Sequence, residues 1–305
     1  MIRPATPADV DAWVALAVSM KEFYPGLDPA AHARAIEKCA ASGEALTAEA
    51  DGRFAGGLLF SRERRELSFL MVAPWARRRG RGRALVARMC EEFPRGETIS
   101  VTTDRPGDPL GAAAGPFYAA LGFLSDADVI AHGHPERTMT LFIPLETPGL
   151  SIRPFREEDF GAFLGLSDIP ELPGWGARKP RPRAFFELLM ADARKMDVRE
   201  GGIWLALFEK STGALVGVGR SGDLDETEVF CFTRPDFRRR GYAAQACGAV
   251  TDWALRRFSL PFIIGAAGVD NPASRRILEA CGYRLADERV PQTRAKFAYY
   301  KKENA

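Results

Sequence analysis

Cysteine, histidine and net charge are all scarce in this chain of 305 residues. The five cysteines (Cys39, Cys90, Cys231, Cys247, Cys281) include no C-x-x-C pair and are odd in number, which argues against a disulfide framework or a structural zinc site and for a reducing, cytoplasmic setting. The three histidines, His32, His132 and His134, are too few for a metal centre, so no metal is expected and His132-x-His134 reads as a polar loop. Lys+Arg 42 against Asp+Glu 40 leaves a formal charge of +2, so no nucleic-acid partner is expected and any basic site must be local. No apolar run approaches the ~20 residues that span a bilayer, so no membrane partner is expected. The opening Met1-Ile-Arg-Pro has no signal-peptide apolar region and reads as immediate structure. With 46% hydrophobic and 27% charged residues, the composition is that of a globular protein, and the length suits two domains.

The chain repeats itself. Ile2-Arg-Pro-Ala-Thr-Pro-Ala-Asp9 is echoed by Ile152-Arg-Pro-Phe-Arg-Glu-Glu-Asp159, Arg77-Arg-Arg-Gly-Arg-Gly82 by Arg238-Arg-Arg-Gly-Tyr-Ala243, and Leu121-Gly-Phe123 by Cys281-Gly-Tyr283. A period of about half the chain means duplicated domains, not a solenoid. We place them at 1–147 and 148–305, joined at the Pro- and Gly-marked stretch Leu145–Gly149. The spacing between the copies grows before the central hairpin, which places an insertion and a long loop around Pro170–Pro180.

Each half opens with a short strand (Ile2-Arg3; Leu150–Arg153) and an amphipathic helix. A hairpin follows, turning at Asp51-Gly52 or Thr212-Gly213. A strand (Leu67–Val72; Val229–Thr233) then runs through an Arg/Gly turn into a helix, and a strand, a helix and a last strand (Thr138–Ile143; Phe297–Tyr300) complete the unit. Mixed, mostly antiparallel strands with helices on both faces make an α/β, three-layer α/β/α domain, present in tandem.

The Arg/Gly turn carries the functional signal. Val72-Ala-Pro74 precedes Arg77-x-x-Gly80-x-Gly82, and Thr233-Arg-Pro235 precedes Arg238-x-x-Gly241-x-Ala243. A helix N-terminus offers free N–H groups and partial positive charge, small residues admit a phosphate closely, and arginines add charge-assisted bonds. A Walker A loop needs Gly-Lys-Ser/Thr, which is missing, and a dinucleotide fingerprint needs a third small residue where Leu85 stands. A solvated basic helix start is the bland alternative for one such motif. Two copies, each after an apolar strand and a proline, weigh against it.

On these motifs, together with the distal L-G-F and C-G-Y, the sequence resembles the GNAT superfamily of acetyl-coenzyme A-dependent N-acyltransferases over nearly its whole length, twice. The resemblance implies that the turns hold the coenzyme diphosphate through Arg77, Arg78, Arg79, Gly80, Arg81 and Gly82 and through Arg238, Arg239, Arg240, Gly241, Tyr242 and Ala243. It also implies that the preceding strands pair with the pantetheine arm around Met71-Val72 and Phe232-Thr233, and that two splayed strands leave a wedge for the thioester. Acetyl-coenzyme A is then the co-substrate, and a small-molecule or peptide amine the acceptor. The second half looks most like the branch that includes ribosomal-protein N-terminal acetyltransferases, on Glu228-Val-Phe-Cys-Phe-Thr233 and Asn271-x-x-Ser274.

Thioester aminolysis needs a polarised carbonyl and a protonated leaving group. By the resemblance, Tyr118 falls where a tyrosine protonates the coenzyme sulfur, and Glu66 where a general base often stands. A core tyrosine and an exposed edge carboxylate are the alternatives. The family's helix-opening Asn falls on Gly111, and Pro116 just precedes Tyr118. In the second half Asn271 and Ser274 match positions near the pantetheine and sulfur, with capping as the alternative for Asn271. Leu278 replaces the tyrosine, and Glu226 and Glu228 flank Thr227 at the base position. The acceptor side is bordered by Phe23-Tyr24-Pro25 in one half and by Trp175, Arg178 and Lys179 in the other. The first half is therefore expected to be the better catalyst. Two alternatives stay open, a catalytic second half beside a degenerate first, and a non-catalytic acyl-coenzyme A sensor or scaffold. Monomer and homodimer are both compatible with internal duplication.

Overall fold

The computed structural model describes residues 1–24, 26–108, 113–131, 133–167, 169, 172, 182–194, 203–221, 228–287 and 297–304. It forms two compact units, Met1–Ile143 and Pro144–Ala305.

Unit 1 runs β1 (Ile2–Pro4), α1 (Val10–Ser19), α2 (Pro29–Ala41), β2 (Ala45–Ala50), β3 (Arg53–Ser61), β4 (Glu66–Val72), α3 (Arg81–Cys90), β5 (Thr98–Asp104), α4 (Ala114–Ala120), β6 (Leu124–Ala131) and β7 (His134–Phe142). Local chemistry sets several of these boundaries. Arg3 grips Asp9 through two bonds of 2.8 and 2.7 Å, and Asp9 accepts the Thr6 N–H at 2.7 Å, so the first motif of the repeat fixes the entry into α1. Asp28 caps α2 by accepting from Ala30 N–H at 2.9 Å, with Pro29 at the first helical position. At Asp51-Gly52 both residues have positive φ (52° and 69°), the conformation a tight hairpin turn requires.

The sheet order is β1-β2-β3-β4-β5-β7-β6, and only β4 and β5 run parallel. One face packs Trp13, Ala17 and Ile36 of α1 and α2 on Leu59 and Met71, and the other packs Leu85, Val86, Met89 and Tyr118 of α3 and α4 on Leu58, Leu67 and Val101.

Unit 2 repeats the plan with β8 (Leu145–Glu146), β9 (Leu150–Arg153), α5 (Phe160–Ser167), α6 (Pro182–Arg194), β10 (Ile203–Glu209), β11 (Leu215–Ser221), β12 (Glu228–Thr233), α7 (Tyr242–Arg257), β13 (Phe262–Gly268), α8 (Pro272–Ala280), β14 (Arg284–Asp287) and β15 (Phe297–Glu303). Its order is β14-β15-β13-β12-β11-β10-β9-β8, with only β12–β13 parallel. Arg153 grips Asp159 as Arg3 grips Asp9, at 2.7 and 3.0 Å. Phenylalanines 155, 163 and 186 fill the core under α5 and α6.

Three features go beyond the sequence reading. Each unit has a second helix before the hairpin (α2, α6) and an extra strand (β6, β14). The stretch read as the joint, Leu145–Gly149, instead turns the β8–β9 hairpin inside unit 2, so the units part at Ile143/Pro144. Most of the predicted loop 170–180, with Trp175, Arg178 and Lys179, lies outside the described residues, as do Pro25, Gly111, His132, Glu226 and Thr227. Among the described residues no helix is long and apolar enough to cross a membrane.

Candidate active sites at the splayed strands

In unit 1, β4 and β5 pair only at Glu66↔Ser100 and Leu67↔Val101, so from Ser68 onward the strands diverge and leave an open wedge. The divergence starts at a bulge. Against β3, Leu67 pairs with Phe60 and Phe69 with Leu59, which leaves Ser68 unpaired. Ala73 N–H donates to Ala55 O at 2.9 Å, so ladder alternation turns Met71 toward β3 as well, and turns the main-chain groups of Leu70 and Val72 toward the wedge. The wedge-facing carbonyls of Leu70 and Val72 accept from side chains, Tyr24 Oη at 3.2 Å and Arg77 Nε at 3.0 Å. Of the Met71-Val72 pair, Val72 therefore offers the N–H, and Met71 is a core residue. In unit 2 the same logic selects Thr233 over Phe232: Arg234 N–H donates to Val216 O at 2.8 Å, and β12 and β13 pair only at Glu228↔Ile264 and Val229↔Gly265. Gly56 and Gly217 make the close strand pairing possible, because a Cβ there would collide with the carbonyl oxygens of Met71 and Phe232.

Both strands end in a proline-initiated 3-10 turn, Pro74–Ala76 or Pro235–Phe237, followed by a left-handed pair. Arg78 and Gly80 have φ of 59° and 73°, and Arg239 and Gly241 of 64° and 77°. The first helical bonds are Ala84 N–H to Gly80 O and Gln245 N–H to Gly241 O. The N–H groups of Arg81, Gly82 and Arg83, and of Tyr242, Ala243 and Ala244, thus precede the ladders of α3 and α7, and no side chain caps them. Space is open around the Gly80 Cβ position, with nothing within 4 Å. These uncapped helix starts are where the sequence reading expects an anion cradle.

The arginines divide into three groups. Arg77 and Arg238 bond back to the last strand carbonyls, Val72 O at 3.0 Å and Thr233 O at 3.3 Å, and Arg81 to Ala76 O at 3.2 Å. They brace the turn. Arg240 and Tyr242 are drawn away by Glu209, a buried carboxylate that accepts from them at 3.1 and 2.6 Å. Arg78, Arg79 and Arg239 stand exposed at the cradle.

Tyr118 lies on α4 and is only 7% exposed, its ring packed between Phe117 and Phe123. Burial, reinforced by nearby Tyr24, pushes its hydroxyl above the ordinary tyrosine range. Pro116 sits in the first turn of α4, where a proline is tolerated. Tyr24, singled out in the sequence only as a border residue, reaches into the wedge from the segment between α1 and α2. Its ring lies 4.9 Å from Phe69, burial raises its pKa to about 12, and Arg77 and Asp104 are near enough to pull in opposite directions. His32 packs at a tilt on the same Phe69, ring centroids 4.6 Å apart, with Nε2 buried and without a hydrogen-bond partner among the described residues. No pattern in one sequence marks Tyr24 or His32, because their approach to Phe69 depends on tertiary packing.

Glu66 begins β4 in its paired part, outside the splay. The bulge puts it on the α1/α2 face with Phe69 and Met71, where Arg64 pairs with it at 3.0 Å. That pair involves an exposed arginine and contributes less than about 1 kcal/mol, so it constrains the carboxylate little.

In unit 2, Asn271 caps α8 by accepting the Ser274 N–H at 3.1 Å, and both lie in its first turn. Leu278, at the place of Tyr118, is buried against Gly265. The β11–β12 register runs unbroken from Gly217↔Thr233 to Ser221↔Val229, so the described part of β12 has no counterpart of the Ser68 bulge.

Comparison with known proteins identifies the family. Residues 13–123 match the Acetyltransferase (GNAT) family, and residues 150–284 the Acetyltransferase (GNAT) domain. The uncharacterised N-acetyltransferase YjdG of Bacillus subtilis (strain 168) is 31% identical over 85 residues, 27% of this chain and 51% of that protein, so the match spans about half the relative's length. Among solved structures, an acetyltransferase from Agrobacterium tumefaciens str. C58 aligns with TM-score 0.44 at 24% identity, over 53% of this chain and 94% of that one. A ribosomal-protein-S5-alanine acetyltransferase from Vibrio fischeri aligns with TM-score 0.42 at 13% identity, over 53% and 97%. The chain belongs to the GNAT superfamily and carries two of its acetyltransferase domains in tandem.

Proposed function

We propose that the protein transfers an acetyl group from acetyl-coenzyme A to a primary amine, and that unit 1 performs the transfer. One contrast carries the assignment: unit 1 combines the Ser68 bulge with a tyrosine, Tyr118, on α4, whereas in unit 2 the described part of β12 keeps an unbroken register and Leu278 stands in the tyrosine's place.

The residues fit the co-substrate. The uncapped N–H groups of Arg81, Gly82 and Arg83, with Arg78 and Arg79, suit a diphosphate, and the open edge of β4 at Leu70 and Val72 suits an amide-bearing arm. When bound, the co-substrate supplies an activated acyl thioester. The wedge-facing N–H groups orient and polarise a carbonyl oxygen. Tyr118 Oη keeps its proton throughout neutral pH, and we assign it as the donor to a departing thiolate. Glu66 lies on the face from which the amine approaches, where it can receive a proton. The acceptor is a small-molecule or peptide amine, and protein N-termini belong to that class.

For unit 2 a specific observation supports binding without turnover. Thr233 Oγ1 is buried at the end of the splayed strand with no hydrogen-bond partner among the described residues, next to an intact anion cradle. Gly80→Leu and Gly241→Leu separate the units, since both sites have room for the new Cβ and both variants carry the same left-handed backbone strain. Turnover of an amine panel is expected to vanish in the first variant and persist in the second. The reverse result would assign catalysis to unit 2.

A further inference from the structure

The core of unit 2 contains a sulfur cluster that unit 1 lacks. By the internal repeat, Cys231, Cys247 and Cys281 stand where unit 1 has Leu70, Val86 and Leu121, three members or neighbours of one apolar cluster. Cys281 Sγ donates to Ala244 O at 3.5 Å and lies 3.8 Å from the Cβ position of Gly248. Ala244, Cys247 and Gly248 are spaced i, i+3, i+4 on α7, so they share one helix face and the Cys281 sulfur rests on the face that presents Cys247. Cys231 reaches the same region from β12, its sulfur 3.8 Å from the Cβ position of Gly219. The Cys247 thiol interacts with the thiols of both Cys231 and Cys281, and each of the three is a free thiol. Cys281 and Cys231 are half-buried and Cys247 is buried. Among the described residues no group of His, Cys, Asp and Glu side chains is arranged to hold a metal ion, which leaves thiol chemistry as what this cluster can perform.

We propose that Cys281 and Cys247 form a reversible disulfide site, open to small-molecule disulfides, that locks the end of α8 onto the first turns of α7. The half-buried Cys281 is the sulfur that an oxidant reaches first. As thiolate it attacks a small disulfide such as oxidised glutathione, forming a mixed disulfide and expelling one glutathione thiolate, which takes up the proton Cys281 gave. Cys247, giving up its own proton, then attacks the Cys281 sulfur and expels the second glutathione. Two protein thiols are oxidised to one disulfide, and one small disulfide is reduced to two thiols. The Cys247 thiol and burial push the Cys281 thiol above the ordinary range, and Lys302, whose Nζ lies 3.9 Å from the Cβ position of Gly282 and is paired with Asp252 at 2.9 Å, offsets this only in part, so the exchange is slow and quickens as the pH rises. The bond joins the two helices whose N-termini, at Gly241 and Asn271, border the wedge of unit 2. Unit 1 has nothing equivalent.

The test treats the whole chain with excess oxidised glutathione, denatures it, alkylates free thiols and maps disulfides by non-reducing peptide mass spectrometry. The expected product links the peptides of Cys247 and Cys281, leaves three of the five cysteines alkylated, raises the thermal midpoint, and reverts with dithiothreitol. Cys247→Ser, with folding checked by circular dichroism, is expected to stop at the glutathione adduct of Cys281, and Cys281→Ser to give no adduct at this cluster. A wild-type product that stops at the mixed disulfide, a bond involving Cys231, or full alkylation of all five thiols would overturn the proposal.

Discussion

Tyr118→Phe tests the chemistry of unit 1 with little structural disturbance. The ring sits between Phe117 and Phe123 with centroids 5.2 Å from each, and phenylalanine keeps those contacts. Only the hydroxyl is lost. As general acid that hydroxyl accounts for roughly 10²–10⁴ in rate, or about 3–5 kcal/mol of transition-state stabilisation. Burial holds it protonated well past pH 10, so the loss is expected in turnover number across pH 6–9, with the Michaelis constant for acetyl-coenzyme A nearly unchanged. Steady-state release of coenzyme A thiol, followed with a chromogenic disulfide reagent, reads this directly. The thermal midpoint is expected to stay within a few degrees of wild type. Turnover within about threefold of wild type would refute the role of Tyr118 and move the proton donor elsewhere.

Other outcomes follow from the same geometry. Tyr24→Phe removes the bond to Leu70 O and the hydroxyl with the pKa of about 12, so the variant is expected to lose less stability than wild type as pH rises from about 10 toward 12, where unfolded tyrosine ionises first; alkaline unfolding curves would show it. Asp9→Ala leaves Arg3 with Glu49 alone and unties the start of α1, at a cost of about 1–3 kcal/mol by urea denaturation. Because Arg3 holds the Asp9 carboxyl below its usual value, that contribution is complete above about pH 4 and fades as the pH falls through the lowered value. Gly217→Ala drives a Cβ into the Phe232 carbonyl oxygen and is expected to destabilise unit 2 by about 1–3 kcal/mol, whereas Gly213→Ala, with open space around it, carries only the strain of its left-handed backbone.

What could be read in the sequence was what depends on local chemistry. The duplicated Arg-Pro…Asp motif, the Asp-Gly hairpin turn and the proline-led Arg/Gly turn are local devices, and each forms where its residues predict. Side-chain direction was less legible. The basic triplets do not say which arginine does what: Arg77 braces Val72, whereas Arg240 is claimed by Glu209, a partner many residues distant in the chain. The Ser68 bulge could not be seen either, because a bulge is a register relation between two strands and β4 alone does not encode it. For the same reason Met71 looked equivalent to Val72 until ladder alternation separated them. The aromatic group of Tyr24, Phe69 and His32 joins three segments, and only the folded sheet brings them together.

The central claim is that the two Arg/Gly turns are diphosphate cradles for coenzyme A. Titration calorimetry of coenzyme A into the 305-residue chain tests it most directly. A saturable heat that disappears in the Gly80→Leu/Gly241→Leu double variant, with folding intact by circular dichroism, is the predicted result. Folded wild-type protein that gives no heat, or a double variant that binds as wild type does, would contradict it.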